Sequence, residues 1–414
     1  MLKTSLSHLF YNVLITLSLP FALLRLVYKS RQNPDYRRRL GERLACQLPK
    51  TEQPIWIHTV SVGEFLAVLP LIKALQKVYS PLLVTTTTPT GSAMLKEKLG
   101  DTVVHCYLPF DTPVLAKRFI CHVQPAVAVF VETEIWPNYL FLLKKQTVPT
   151  LLINARLSEK SFRGYAKTGK FARQTLTCFT EVACQNKASQ QRFQQLGAKA
   201  SVLGNIKFDL APPDDLPEKQ ARLHQLLGNQ PFVLAASTHK GEDEIILKAF
   251  RQSKYADTHR IIIAPRHPER SEQVMALCQA AGYHGVYYTQ CVDKPLAPNV
   301  QVVVVDTLGE LLYFYSLAAI AVIGGSFVPH GGHNPLEAAL FAVPCFIGEH
   351  YFNFDSLVKA MVDNNAIILT EAKTLLTRRE DLREIGSNAK TFLAGNQGAL
   401  QRYVRLILQQ IDCR

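Results

Sequence analysis

The chain has 414 residues, too many for one ordinary hydrophobic core, so two α/β domains are the starting expectation. Its composition, 48% hydrophobic and 19% charged with no low-complexity tract, is that of a globular protein. A formal charge of +13 asks for an anionic partner such as nucleic acid, phosphorylated lipid or nucleotide, the alternative being a merely soluble basic protein.

The first thirty or so residues stand apart. From Thr4 to Leu24 there is no Lys, Arg, Asp or Glu, and about 20 apolar residues suffice to cross a bilayer as a helix. Between Arg25 and Arg43 lie seven basic residues (Arg25, Lys29, Arg31, Arg37, Arg38, Arg39, Arg43), whereas the other flank offers only Lys3 and the amino terminus. The positive-inside bias places everything after Arg25 in the cytoplasm. No A-x-A-like site follows the apolar run, which argues against a cleaved signal. His8, Asn12 and Pro20 interrupt it, so spanning the bilayer and lying at its surface both stay open. Nine cysteines (Cys46, Cys106, Cys121, Cys178, Cys184, Cys278, Cys291, Cys345, Cys413) contain no C-x-x-C pair, which fits reduced thiols and a cytosolic body.

Beyond the anchor, strand-like runs at 55–59, 82–87, 103–108, 126–131, 150–154 and 181–183 alternate with helical patterns such as 65–79 and 139–145. The Pro- and Asp-rich stretch 209–217 reads as a linker. Alternation then restarts, with strand candidates at 232–236, 261–264, 302–305, 319–323 and 344–347, and the last thirty or so residues are helical in pattern. Such alternation predicts two doubly wound parallel sheets with a cleft between them, and ligands at the carboxyl ends of the strands.

Several motifs sit at those strand ends. In His58-Thr59-Val60-Ser61-Val62-Gly63-Glu64, Glu64 is either a helix-terminal carboxylate or a general base. Glu132-Thr133-Glu134 follows an apolar strand, and its acids either cap the next segment or line a site. Lys207, entering the linker, either meets a substrate anion or is solvated. Arg266, after a strand, has the geometry to hold a phosphate with two donors. Asp306-Thr307-Leu308-Gly309-Glu310 follows a strand and opens a helix; it either presents backbone donors or has Asp306 as N-cap with Gly309 and Glu310 in the first turn. Asn334-Pro335-Leu336-Glu337 has the spacing of a capping box, and four glycines just upstream would let a ligand approach the backbone closely. No P-loop, zinc-type spacing or G-x-S-x-G is present. No D-x-D follows an apolar strand, so a metal-held diphosphate is not supported. Aromatics do not interleave with the basic residues, which weakens the nucleic-acid reading of the charge.

Taken together, YRRRLGER, HTVSVGE, TTTTPTGS, ETEIWPN, INARLS, GNIKFD, STHKGE, APRHPER, DTLGEL, GGSFVPHGGHNPLEAA and NQGAL resemble, in order and spacing over nearly the whole chain, the transferases of lipopolysaccharide synthesis that attach 3-deoxy-D-manno-octulosonic acid (Kdo) to a lipid A precursor. The resemblance implies a metal-independent, inverting enzyme of the GT-B fold without a cofactor. Its donor would be CMP-Kdo, its acceptor the lipid A precursor lipid IVA, and its location the cytoplasmic side of the inner membrane, against anionic lipid and not nucleic acid. It implies an anchor over 1–28, an acceptor domain over 29–208, a linker over 209–217 and a CMP-sugar domain over 218–414. By the same resemblance Glu64 is the proton acceptor, and Glu132 and Lys207 stabilise the transition state. Pro265, Arg266, Leu308, Gly309, Glu310, Asn334, Pro335, Leu336 and Glu337 would bind CMP. Two rivals are another GT-B enzyme using a UDP-sugar on a lipid acceptor, and a non-catalytic binder of anionic glycolipid.

Overall fold

The computed structural model describes residues 6–31, 33–291, 295–377 and 381–412. Lys3, Thr4 and Cys413, on which expectations above draw, lie outside the described residues. Contacts divide the chain into two compact units, one running to Asp209 and resuming at Gln397, the other formed by Leu210–Asn396.

The first unit opens with the 24-residue helix Leu6–Lys29, which contains Pro20. By length and composition it is long and apolar enough to cross a membrane, its most apolar stretch having a mean hydropathy of 1.7. The sheet that follows has seven strands: β1 (Ile55–His58), β2 (Leu82–Thr86), β3 (Val104–Tyr107), β4 (Val127–Val131), β5 (Thr150–Ala155), β6 (Glu181–Cys184) and β7 (Ala200–Val202). Their order is β3-β2-β1-β4-β5-β6-β7, every pair parallel. A parallel sheet is covered on both faces, so its strands are apolar throughout rather than alternating. Trp56, Ala128, Phe130 and Leu152 point into one core with the helices Pro113–Val123 and Pro137–Lys145. Their neighbours Ile55, Ile57, Val129, Leu151 and Ile153 point into the other, closed by the helices Val62–Gln76 and Ala399–Asp412.

The second unit repeats the architecture with β8 (Phe232–Thr238), β9 (Arg260–Pro265), β10 (Gly285–Tyr287), β11 (Val302–Val304), β12 (Ile320–Ile323), β13 (Cys345–Ile347) and β14 (Ile368–Leu369). The order is β10-β11-β9-β8-β12-β13-β14, again parallel throughout. In each sheet the strand order reverses beside the first strand, between β1 and β4 and between β8 and β12. Loops leaving those strands diverge to opposite faces, which opens a crevice at their carboxyl ends.

Two boundaries are corrected. The final helix Ala399–Asp412 belongs to the first unit, not to a second domain over 218–414, because Ala399, Tyr403 and Ile407 fill the first sheet's core. The expected linker 209–217 is also shorter than its Pro and Asp content implied, since the helix Leu216–Leu227 starts within it with Pro217 in its first turn.

Candidate active site

In the first unit the crevice is lined by carboxylates. Chain leaving β1 turns at Ser61, whose hydroxyl caps the helix Val62–Gln76 by accepting from the Glu64 N–H at 3.3 Å. Glu64 reaches back: Oε2 accepts the Val60 N–H at 2.7 Å and Oε1 the Ser61 hydroxyl at 3.2 Å. This reciprocal capping box is one of the two readings of Glu64, and it also fixes the carboxylate toward the strand ends. Burial, with the neighbouring Glu132 adding to it, pushes the Glu64 carboxyl above its usual range.

Glu132 follows β4 directly and has a left-handed backbone, φ 57°, so the strand does not run on through Glu132 and Glu134. That conformation is costly for a side-chain-bearing residue and persists where its surroundings hold it. Here the hold is visible: Glu132 is buried, with Oε1 3.4 Å from Lys207 Nζ and Oε2 3.2 Å from Arg156 Nε. Its N–H donates to Ile153 of β5 at 3.0 Å. Asn154, also left-handed (φ 48°), accepts the Ile206 N–H through Oδ1 at 3.2 Å and so positions the short turn carrying Lys207. Glu64, Glu132 and Lys207 are thus brought to one place by three separate elements.

Glu134 joins them. It accepts the Trp136 indole N–H at 2.9 Å and lies 4.0 Å from Nε2 of His58. Burial first, then Glu64, lift Glu134 to about 7. His58 is fully buried and pushed down to about 3, hence neutral. Its Nδ1 meets the Thr85 hydroxyl, which also accepts from the Trp56 indole. Sequence reasoning missed Arg156 and the coupling to His58; both lie inside motifs already noted, HTVSVGE and INARLS, without a role attached.

In the second unit the strand-end loops are organised by the last residue of STHKGE, to which no role was attached. Glu242, with no solvent exposure, accepts the backbone N–H groups of His239 (2.8 Å), Gly325 (2.6 Å), Ser326 (3.0 Å) and Phe327 (2.9 Å). In the Gly-rich turn after β12, where the glycines were expected to let a ligand approach closely, the N–H groups of Gly325 to Phe327 are taken by this carboxylate. Gly324 serves close packing, since a Cβ there would lie 2.3 Å from the Ser237 carbonyl. Beside the turn, Nε2 of His239 and Nε2 of His333 are 2.9 Å apart, and His239 stacks on His330 with centroids 4.1 Å apart. Burial and the surrounding cations and imidazoles push His239 and His333 down to about 4. Arg266 is among the charges that His333 feels.

The expected nucleotide residues fall on neighbouring strand ends. Pro265 closes β9 and is buried, and Arg266 follows, exposed. Leu308 is 71% exposed, Gly309 has φ 86°, and Glu310 lies 3.6 Å from Lys219. Glu310, not Asp306, is the N-cap of the helix Leu311–Tyr315; Asp306 instead accepts the Thr289 N–H at 3.1 Å. Asn334 accepts the Leu336 N–H at 3.2 Å, but the helix Leu336–Leu340 has Pro335 as its N-cap and no side-chain cap. The expected capping box therefore does not form. Glu337 is left in a buried setting that raises it to about 7.

Two seven-stranded parallel units, each with its switch point beside its first strand, are the architecture of the GT-B fold. The fold is shared with MurG of Acinetobacter baumannii (TM-score 0.56, 14% identity, 87% of this chain and all of that one). It is shared equally with a UDP-GlcNAc 2-epimerase of Neisseria meningitidis (TM-score 0.56, 12% identity, 87% of this chain, all of that one), so fold alone does not name the chemistry. The profile of the 3-deoxy-D-manno-octulosonic-acid transferase (kdotransferase) family matches residues 37–210. Similar chains are the 3-deoxy-D-manno-octulosonic acid transferases of Haemophilus influenzae (37% identity, 97% of this chain and 98% of that one) and Bordetella pertussis (35%, 84% and 85%). The chain belongs to the family of 3-deoxy-D-manno-octulosonic acid transferases, and is an enzyme.

Proposed function

We propose that the chain moves Kdo from CMP-Kdo to a hydroxyl of a lipid A precursor, lipid IVA, at the cytoplasmic face of the inner membrane. The observation that carries this reading is the convergence of Glu64, Glu132 and Lys207 on the β1/β4 switch point. A sugar hydroxyl is a weak acid, and a carboxylate lifted by burial is a stronger base than one in water. Glu64 takes the hydroxyl proton as the oxygen bonds to the anomeric carbon of Kdo and the bond to the CMP phosphate breaks. Attack opposite the leaving group inverts that centre. Glu132 faces the positive charge developing on the sugar and Lys207 the negative charge on the departing phosphate; each preorganised charge is worth roughly 3 kcal/mol by analogy with oxyanion-hole losses.

Pro265 and Arg266, Leu308 to Glu310, and Asn334 to Glu337 hold the CMP moiety, with Arg266 and the His239–His333 pair at its phosphate or the Kdo carboxylate. For the acceptor, support comes from an apolar cavity of about 210 Å³ lined by Tyr11, Ile135, Pro137, Tyr165, Phe171 and Leu176. It starts one residue from Glu134 and suits an acyl chain rather than a sugar.

Incubation with CMP-Kdo and tetra-acylated lipid A precursor, read by mass spectrometry, tests donor, acceptor and number of sugars together. Glu64→Gln is expected to abolish transfer while CMP still binds; turnover retained in that variant removes Glu64 as the base. Inhibition by UDP and not by CMP would favour a UDP-sugar donor instead.

A further inference from the structure

The helix Leu6–Lys29 has two unlike faces. Leu6, Phe10, Leu17, Phe21, Leu24 and Tyr28 are 64–84% exposed. At ~100° per residue they fall within an arc of about 60°. On the opposite side His8, Tyr11, Ile15, Ser18, Ala22 and Leu26 are half-buried.

The amino-terminal turns are fastened to the body of the first unit. The Tyr11 hydroxyl donates to Asp111 at 2.7 Å, and Nε2 of His8 lies 3.1 Å from Oδ1 of Asn138. The His8 ring packs against Phe141 (4.3 Å between centroids) and the Tyr11 ring against Phe171 (5.5 Å). Asp111 is buried and also accepts the N–H groups of Asn138 (3.3 Å) and Tyr139 (3.2 Å), so the attachment point is the start of the helix Pro137–Lys145. At the other end the chain leads through Ser30 to Arg39, which donates to Ser92 at 2.9 Å and to Glu42 at 2.6 Å. Twenty-four residues of helix extend about 36 Å, more than the ~30 Å hydrocarbon core. A helix spanning that core would place its two ends on opposite sides of the bilayer. Here the amino-terminal turns are held by the same folded body that the chain enters after the helix, at Arg39.

We infer that the helix lies in the plane of an anionic bilayer surface as a strap on the first unit, its exposed apolar stripe sunk among the acyl chains. The charge fits that partner: Arg25, Arg31 and Arg37 are exposed at the strap's end, where anionic headgroups would meet them. The inference is independent of which sugar is transferred.

The test uses the full chain with an epitope added before Met1, in sealed inverted inner-membrane vesicles. The exposed Cys46 and Cys121 of the body report by maleimide labelling which side is accessible. A strap leaves the epitope open to added protease on the side where those cysteines label. An epitope protected while they label means a spanning helix and overturns the inference. In a second arm, Leu17→Asp with Phe21→Asp is expected to weaken sedimentation with phosphatidylethanolamine–phosphatidylglycerol vesicles at least tenfold, while Val78→Asp, at an exposed apolar residue of the body, leaves it unchanged. Unaltered binding of the double variant likewise overturns the inference, with an unchanged thermal melt confirming that the body is folded.

Discussion

A carboxylate sealed from water ordinarily costs several kcal/mol, and Glu242 offsets that cost by accepting four N–H groups from two loops. The adjacent Asp243 accepts from the Thr238 hydroxyl and pairs with Arg270, so the turn after β8 is locked on both flanks. This order brings His239 and His333 together as neutral imidazoles. Their folded values, about 4, lie below the ~6.5 of an unfolded histidine. Between those values the unfolded chain binds more protons, so stability rises with pH there and the pair's contribution is lost as pH falls from about 6.5 toward 4. Urea midpoints measured across that range are expected to fall less steeply in His239→Gln/His333→Gln than in the parent; equal slopes would refute the pair's role. Of the site, Glu64, Glu132 and Arg266 were legible in the sequence because each follows an apolar strand within a recognisable motif, and Lys207 because GNIKFD closes the first run of alternation before the linker. The role of Glu242 was not: it closes the motif STHKGE one residue before a helix, with no mark of what it binds, and its partners Gly325 to Phe327 are more than eighty residues away.

At the scale of elements, the alternation of apolar runs with helical patterns indicated eleven of the strands, because parallel strands buried on both faces are unbroken apolar stretches. The three it did not indicate, β7, β10 and β14, are short: β7 and β10 have three residues each and β14 two. β10 and β14 are edge strands of their sheet and β7 an edge of the other, where one side goes unpaired and the pattern weakens. The last helix was legible as a helix, yet nothing in its own pattern says which sheet it covers. Its partners say so: the Tyr403 hydroxyl donates to the Gly204 carbonyl at 2.7 Å, and Arg402 Nε donates to the Leu203 carbonyl at 2.8 Å. Tyr403→Phe is expected to lower stability by about 1 kcal/mol through loss of that hydrogen bond, read from urea denaturation. Hydrogen exchange should locate the loss in the first unit; protection lost only within Leu210–Asn396 would contradict the assignment of this helix.

Over the whole molecule, the second unit is an insertion in the first. Its two ends leave from neighbouring points, since Asp209 accepts the Leu400 N–H at 2.6 Å as well as that of Gly398. With its own sheet and core, Leu210–Asn396 expressed alone is expected to unfold in one cooperative thermal transition; a noncooperative melt would show that it depends on the rest of the chain. The same connectivity sets an order of events on the ribosome. The insert emerges whole before the helix that completes the first unit, nearly two hundred residues and roughly 10–40 s of synthesis later at ~5–20 residues per second. Throughout that interval the part of the sheet face awaiting Tyr403 and Ile407 stands uncovered beside the helix Val62–Gln76, so the nascent first unit is the part exposed to chaperones and to aggregation.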